Sequence, residues 1–159
     1  MMRELIVLVD NTSSVARVVE FAKVVYGFGV KNLVLTHVYG SAAQQGVPEA
    51  FKISLKYSSS LIILPTIRDA LDLFKPDHVL VIRRPSPQVK PLTDFINIDG
   101  RVMLAVDGSD QDIRVEGSNV SYVAPVKYDI GNIGQLTLAL CTLMGGCLNV
   151  QHQGSTQGL

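Results

Sequence analysis

The chain has 159 residues, 47% of them hydrophobic and 18% charged, which is enough apolar material for one domain with its own core and excludes a disordered chain. Fourteen basic residues balance fourteen acidic ones, so no global field draws the protein to nucleic acid or to an anionic membrane; such a partner would need a local patch. No apolar run reaches the roughly 18 residues of a bilayer span, no signal-peptide pattern opens the chain, and Cys141 and Cys147 are too few for a disulfide framework. The expectation is a soluble cytoplasmic protein with free thiols.

Glu4 to Asp10 is a Val-rich aliphatic run ending in the polar turn Asn11-Thr12-Ser13-Ser14, the pattern of a central parallel strand buried on both faces. Ser13 or Ser14 caps a helix with the stripe Val15, Val18, Val19, Ala22, Val25 and Tyr26, which Gly27 and Gly29 end. A second strand spans 32–39, a small polar loop 40–46, and a short helix runs from Pro48 to about Tyr57. A third strand at 61–64, a short helix at 67–75 and a fourth strand at 78–82 follow. Arg83-Arg84-Pro85-Ser86-Pro87 is too Pro-rich for helix or central strand. A fifth strand is predicted at 101–106, a sixth at 120–126 and an uncharged helix from about 133 to 144, stopped by Gly145-Gly146. These elements predict an α/β fold, a six-stranded mostly parallel sheet with flanking helices. Residues 1–150 form a single domain, and 151–159 read as a flexible tail.

Several residues are candidates for chemistry. Asp10 and Asn11 end a parallel strand, where α/β proteins place ligand groups. Arg17, Glu20 and Lys23, at i, i+3 and i+6, share one side of the first helix; they are a solvated stripe with an ion pair or a phosphate ligand. Arg83, Arg84 and Lys90 extend such a basic patch or form a charged loop. Gly108, Gly131 and Gly134 are ordinary turn residues, or they let backbone approach a bound cofactor. His37, His78 and His152 are scattered, and no His or Cys lies at metal-ligand spacing, so no metal is expected. No Gly-x-x-x-x-Gly-Lys loop or Gly-x-Ser-x-Gly elbow occurs.

Residues 130–159 contain no Asp, Glu, Lys or Arg, whereas a helix with one face in water normally carries charge there. Ile133, Leu136, Leu140, Leu143 and Met144 make one apolar stripe, with Leu138 and Cys141 away from it; Phe21, Val24 and Phe28 are a similar surplus on the first helix. Two such surfaces predict an isologous homodimer through the C-terminal helix.

Val106-Asp107-Gly108-Ser109-Asp110, Tyr122-Val123-Ala124-Pro125-Val126 and Asp129-Ile130-Gly131-Asn132-Ile133-Gly134-Gln135-Leu136 follow in that order. They resemble the Gly-Ser-Glu turn, the apolar-Pro strand and the Gly-rich approach to the last helix in the SPOUT (SpoU–TrmD) class of RNA methyltransferases. Val7-Leu8-Val9-Asp10-Asn11 with Gly29-Val30 resembles the first SpoU motif, and Ala50 to Ser60 the segment before the third strand. The resemblance covers roughly residues 4 to 148. It implies a C-terminal trefoil knot and S-adenosylmethionine held by Leu104, Gly108, Val123, Val126, Gly131 and Gly134. It further implies methyl transfer to tRNA or rRNA, with Arg17 and Lys23 as the catalytic pair and Arg83, Arg84 and Lys90 on the RNA. The chain departs from the SpoU pattern where Arg17 and Lys23 stand for Asn and Arg, and where Asp110 stands for Glu. The alternative is a catalytically lapsed cofactor- or RNA-binding knot protein. The chain is also similar to archaeal chains labelled RecB-family nucleases, which implies a metal-dependent nuclease. Such enzymes need an Asp on one strand and Glu-x-Lys on the next, and no Glu-x-Lys occurs here. Val102 to Asp110 also looks like the opening of universal stress proteins, but the long helix that family places next is absent from 111–119.

Overall fold

The computed structural model describes residues 3–145 and Cys147. In chain order the elements are β1 (Arg3–Thr12), α1 (Val15–Gly27), β2 (Asn32–Val38), α2 (Val47–Lys56), β3 (Ser60–Leu64), α3 (Ile67–Phe74), β4 (His78–Ile82), β5 (Lys90–Pro91), β6 (Gly100–Asp107), β7 (Val120–Ala124) and α4 (Asn132–Met144). One sheet of seven strands holds them in the order β3-β2-β1-β6-β4-β7-β5, and every described pairing is parallel. The expected count of six is therefore corrected to seven. The extra strand is the two-residue β5, which pairs with β7 at the sheet edge, where Pro91 needs no ladder N–H.

β1 lies between β2 and β6 and explains its own sequence. Ile6, Val7, Leu8 and Val9 are all fully buried, because both faces of the sheet are covered. Val7 and Val9 join the core under α1, α2 and α4, whereas Ile6 and Leu8 join the core under α3 together with Ile113 and Val115. The Ser14 hydroxyl accepts from the Arg17 N–H and caps α1. Thr66 and Asp69 form a reciprocal capping box on α3.

Residues 42–46 depart from the expected polar loop. They form a π-helical turn that runs into α2, with Ala42 and Gly46 buried. A Cβ on Gly46 would stand 3.2 Å from the Val18 Cβ, so glycine lets this turn lie directly on α1. Phe21 is fully buried rather than surplus, while Val24 and Phe28 are half-buried against the same core. In α4, Leu136, Leu140 and Leu143 are buried as their stripe predicts, but Met144 is exposed, and so is Leu138. Cys141 and Cys147, both expected as free thiols, are neighbours with Cα atoms 5.3 Å apart. No helix among the described residues is long and apolar enough to cross a membrane. The tail predicted at 151–159 lies outside the described residues.

Candidate functional site

The strand order places a switch point between β1 and β6. From β1 the chain moves outward to β2, and from β6 it moves the other way, past β4 to β7. The helices and loops that leave these two strands diverge, opening a crevice at their C-terminal ends, the usual ligand position in parallel sheets. Asp10 and Asp107 are register partners at those ends, and both are buried.

Each aspartate organises one side of the crevice. The Asp107 Oδ1 accepts from the Ser109 N–H at 2.7 Å, the Ser109 hydroxyl at 2.9 Å and the Gln111 N–H at 3.2 Å, and its Oδ2 accepts from the Asn11 amide at 3.2 Å. This carboxylate therefore shapes the turn after β6. The Asp10 Oδ1 accepts from the Thr36 hydroxyl at 2.7 Å and lies 2.6 Å from the His37 Nδ1 at the end of β2. Asn11 ties the two sides together, donating to Ser109 at 2.9 Å and accepting from the Tyr39 hydroxyl at 2.5 Å. Asn11, His37 and Asp110 all have positive φ, at 69°, 49° and 60°. Three of the described non-glycine residues with left-handed backbone thus gather at one end of the sheet, a pattern common at functional sites.

Arg17 reaches from α1 into the turn. Its Nε donates to the Gly108 carbonyl at 3.0 Å and its guanidinium to Asp110 at 2.8 Å. Asp110 also accepts from the Asn132 N–H at 2.7 Å, so it caps α4, whose own N-cap Gly131 has no side chain to offer. The Asn132 N–H, and after it the Arg17 guanidinium, hold the Asp110 carboxyl below the usual carboxylate range. Among the described residues Arg17 forms no ion pair with Glu20, the first of its two readings; its partner is Asp110, and Arg17 is half-buried. Gly108 has no room for a side chain. A Cβ there would lie 2.1 Å from the Thr12 Cγ2 and 3.0 Å from the Asn11 carbonyl oxygen.

Two adjoining clefts open at the ends of β4 and β7, beside β5. One, of about 580 Å³, is lined by Arg83, Arg84, Gln88, Asp112, Tyr122 and Asp129. The other, of about 310 Å³, is lined by Lys90, Pro91, Ala124, Pro125, Val126 and Lys127; Pro85, Ser86 and Val89 wall both. The Arg83 guanidinium lies 4.5 Å from the Tyr122 ring centroid, and its Nε is buried without a hydrogen-bond partner among the described residues. Arg84 donates from its backbone and guanidinium to Asp112. The Lys90 ammonium lies 6.0 Å from the Phe95 ring.

The structure brings some candidate residues together and separates others. Arg17, Gly108, Asp110 and Gly131 share one knot of contacts, whereas Lys23 is exposed on α1 with no hydrogen bond to a described residue. Arg83, Arg84 and Lys90 surround the paired clefts, and Val126 lines the smaller one. The side chains of Leu104 and Val123 are fully buried in the core, so only their backbone could face a ligand. Gly134 faces Ile130, with a Cβ position 3.1 Å from the Ile130 Cδ1. Sequence reasoning passed over His37, and over Pro85, Ser86 and Val89 as cleft walls. No linear spacing joins His37 to Asp10; only the β1–β2 register does.

Residues 40–142 match the family described as RecB-family nuclease (DUF2122). The chain belongs to this family. It is 37% identical, over 90% of its length and 94% of the relative's, to a protein of Aeropyrum pernix provisionally named the type II restriction enzyme ApeKORF2002P. It is 27% identical to a protein of Methanocaldococcus jannaschii provisionally named the type II restriction enzyme MjaORF1200P, over 87% of this chain and 95% of that one. The solved structures it resembles carry a different name. The SpoU methyltransferase AviRb from Streptomyces viridochromogenes, in complex with the cofactor AdoMet, matches 98% of this chain and 63% of its own, with a TM-score of 0.66 and 13% identity. The A. aeolicus TrmH/SpoU tRNA-modifying enzyme matches 98% of this chain and 80% of its own, with a TM-score of 0.64 and 12% identity. This member of the RecB-family nuclease (DUF2122) family therefore has the parallel α/β fold of SpoU methyltransferases.

Proposed function

We propose that the protein binds S-adenosylmethionine and transfers its methyl group to RNA, tRNA or rRNA. The observation that carries this reading is the two-part cleft at the ends of β4 and β7. Its smaller part has walls of Pro85, Val89, Pro91, Ala124, Pro125 and Val126, suited to a flat apolar group such as adenine. Its larger part offers the carboxylates of Asp112 and Asp129, suited to the ammonium group of the cofactor's methionine moiety. The likeness of the whole chain to a methyltransferase fold, in one case with AdoMet bound, supports the same reading. The trefoil knot implied by the SPOUT resemblance belongs to it.

S-adenosylmethionine, when bound, supplies an electrophilic methyl group. The residues of this chain then have to hold the acceptor in line and help remove its proton. Of the residues expected at the cofactor, Val126 lines the cleft, whereas Leu104, Gly108, Val123, Gly131 and Gly134 line neither part of it. Arg17 would orient the acceptor from α1, with Lys23 an outer contact for RNA. Arg83, Arg84 and Lys90 would meet phosphates. A binding protein that has lost transfer would keep the cleft and fail only in turnover.

A nuclease is the second reading, favoured by the names of the family and its relatives. Its chemistry needs carboxylates free to hold a divalent ion. Among the described residues, no three of His, Cys, Asp and Glu are grouped to do so. The carboxylates of Asp10 and Asp107 are already engaged by hydroxyl, amide and imidazole groups. Calorimetry with S-adenosylmethionine and S-adenosylhomocysteine, run beside a cleavage assay on DNA and RNA with Mg²⁺, separates the readings. Binding of either cofactor form supports the first. No binding at high micromolar concentration, with metal-dependent cleavage, replaces it with the second.

The homodimer through α4 remains part of the proposal. Leu138 and Met144 are exposed on a helix without a charged residue, Ile130 is exposed just before it, and Thr137 and Thr142 spend their hydroxyls on the helix's own carbonyls.

A further inference from the structure

We propose that the Arg84–Asp112 ion pair couples the two ligands of the cleft: an RNA phosphate that draws the Arg84 guanidinium away frees an oxygen of Asp112 for the ammonium group of the cofactor, so that each ligand tightens the other. The inference rests on the methyl-transfer reading and adds to it a regulation of that same site.

The pair stands in the cleft itself. Arg84 follows β4, Asp112 lies on the loop between β6 and β7, and both line the larger part. The Asp112 Oδ1 accepts from the Arg84 backbone N–H at 3.2 Å. Its Oδ2 accepts from the Arg84 Nε at 3.3 Å and from Nη2 at 3.2 Å. Among the described residues, Arg84 is the only hydrogen-bond donor to this carboxylate.

The two halves of the pair are fixed to different degrees. Ile113 and Val115, just after Asp112, are buried in the core under α3. Just before it, the Gln111 N–H donates to Asp107 and the Gln111 carbonyl accepts from Asn132. The short Asp112 side chain, 22% exposed, therefore has little freedom to move. The Arg84 side chain is 55% exposed and bonds only Asp112 among the described residues. A long side chain with its charge at the surface can turn to a phosphate without moving its backbone. When it does so, Oδ1 keeps the Arg84 backbone N–H and Oδ2 loses both of its donors. Oδ2 is then the oxygen open to an ammonium group.

The two ligands thus need groups that bond each other in the structure. The first ligand to bind must part them, and the second then finds its group already free. Such coupling is reciprocal, and its size is limited by the worth of the pair. For a pair of this exposure that is about 2- to 5-fold in an equilibrium constant. The other charged groups of the cleft stand apart from the pair. Arg83 packs on the Tyr122 ring, Asp129 accepts from the Gly131 N–H, and Lys90 and Lys127 line the smaller part.

Calorimetry with two probes tests the coupling. S-adenosylhomocysteine carries the amino-acid end, and 5′-methylthioadenosine lacks it. In the wild type, a saturating mixture of transfer RNA is expected to tighten S-adenosylhomocysteine by about 2- to 5-fold and to leave 5′-methylthioadenosine unchanged. Arg84→Ala removes the guanidinium and keeps the backbone N–H on Oδ1. Without RNA it is expected to bind S-adenosylhomocysteine about 2- to 5-fold more tightly than the wild type, and 5′-methylthioadenosine equally. Asp112→Asn should weaken S-adenosylhomocysteine and abolish its response to RNA. Equal factors for the two probes in the wild type overturn the coupling alone. So does an Arg84→Ala chain that binds 5′-methylthioadenosine normally and S-adenosylhomocysteine no more tightly. The wild-type comparison decides by itself where a variant fails to fold. A wild type that fails to bind S-adenosylhomocysteine or RNA sinks the methyl-transfer reading, and the coupling with it.

Discussion

Asp110 shows how one exposed side chain can join three elements. It takes the Asn132 N–H at the head of α4 and the Arg17 guanidinium from α1, and stands in the turn after β6. Its carboxyl is held low in the folded chain, so its stabilising effect is fully present above the unfolded carboxylate pKa of about 3.9 and is lost as pH falls through the lower folded value. Asp110→Asn is expected to be less stable than the wild type at pH 7, and the gap should narrow as pH falls below about 4. Urea midpoints at the two pH values give the comparison. Gly108 is a stricter case, since the Cβ of an alanine would strike the Thr12 Cγ2. Gly108→Ala should cost about 1–3 kcal/mol by overpacking. Adding Thr12→Ser, which removes that methyl group, should recover part of the loss in thermal unfolding. If the second change recovers nothing, the clash lies with the Asn11 carbonyl instead.

At the scale of the element, α4 has two sides with different fates. Leu136, Ala139, Leu140 and Leu143 are buried against the sheet, so Leu140→Ala should destabilise the fold by about 2–5 kcal/mol. Leu138, 37% exposed, points away from that core. Leu138→Glu should therefore leave the monomer folded and convert the proposed dimer into monomer. Light scattering and circular dichroism on the same sample give the answer: a folded dimer that survives the charge would place the interface elsewhere. The helix also buries Gln135 with neither amide atom partnered among the described residues, which removes one of its few polar groups from water.

At the scale of the molecule, a neutral chain has gathered cations at one place. Arg83, Arg84 and Lys90, with Lys127, border the paired clefts at one edge of the sheet. If RNA phosphates lie there, the double variant Arg84→Ala, Lys90→Ala should weaken binding at every sequence. The slope of log affinity against log salt should become shallower by about 1 per lost phosphate contact. Filter binding at several salt concentrations measures both. An unchanged slope would return these residues to a solvated loop. Arg83 differs from them, because its guanidinium packs on the Tyr122 ring, so its removal would also disturb β7.

The alternation of apolar runs with helical stripes was enough to place β1, β4 and α3 to within a residue or two of their ends, since burial on both faces demands unbroken aliphatic sequence and a helix with one buried face shows its apolar residues at helical spacing. The Gly-Ser-acid turn was visible as a turn, and Arg17 as a candidate. Local pattern carried no information on β5, whose two residues are a strand only because β7 stands beside them. Nor did it show the π-helical turn at 42–46, which exists because Ala42 and Gly46 can lie against α1. The site belongs to that second class. Asp10 meets His37, and Arg17 meets Gly108 and Asp110, through contacts between residues 27, 91 and 93 positions apart. Periodicity and capping act over a few residues and so can be read along the chain. Which strand ends stand side by side depends on the order of strands in the sheet, and that was decided only when both of its faces were packed.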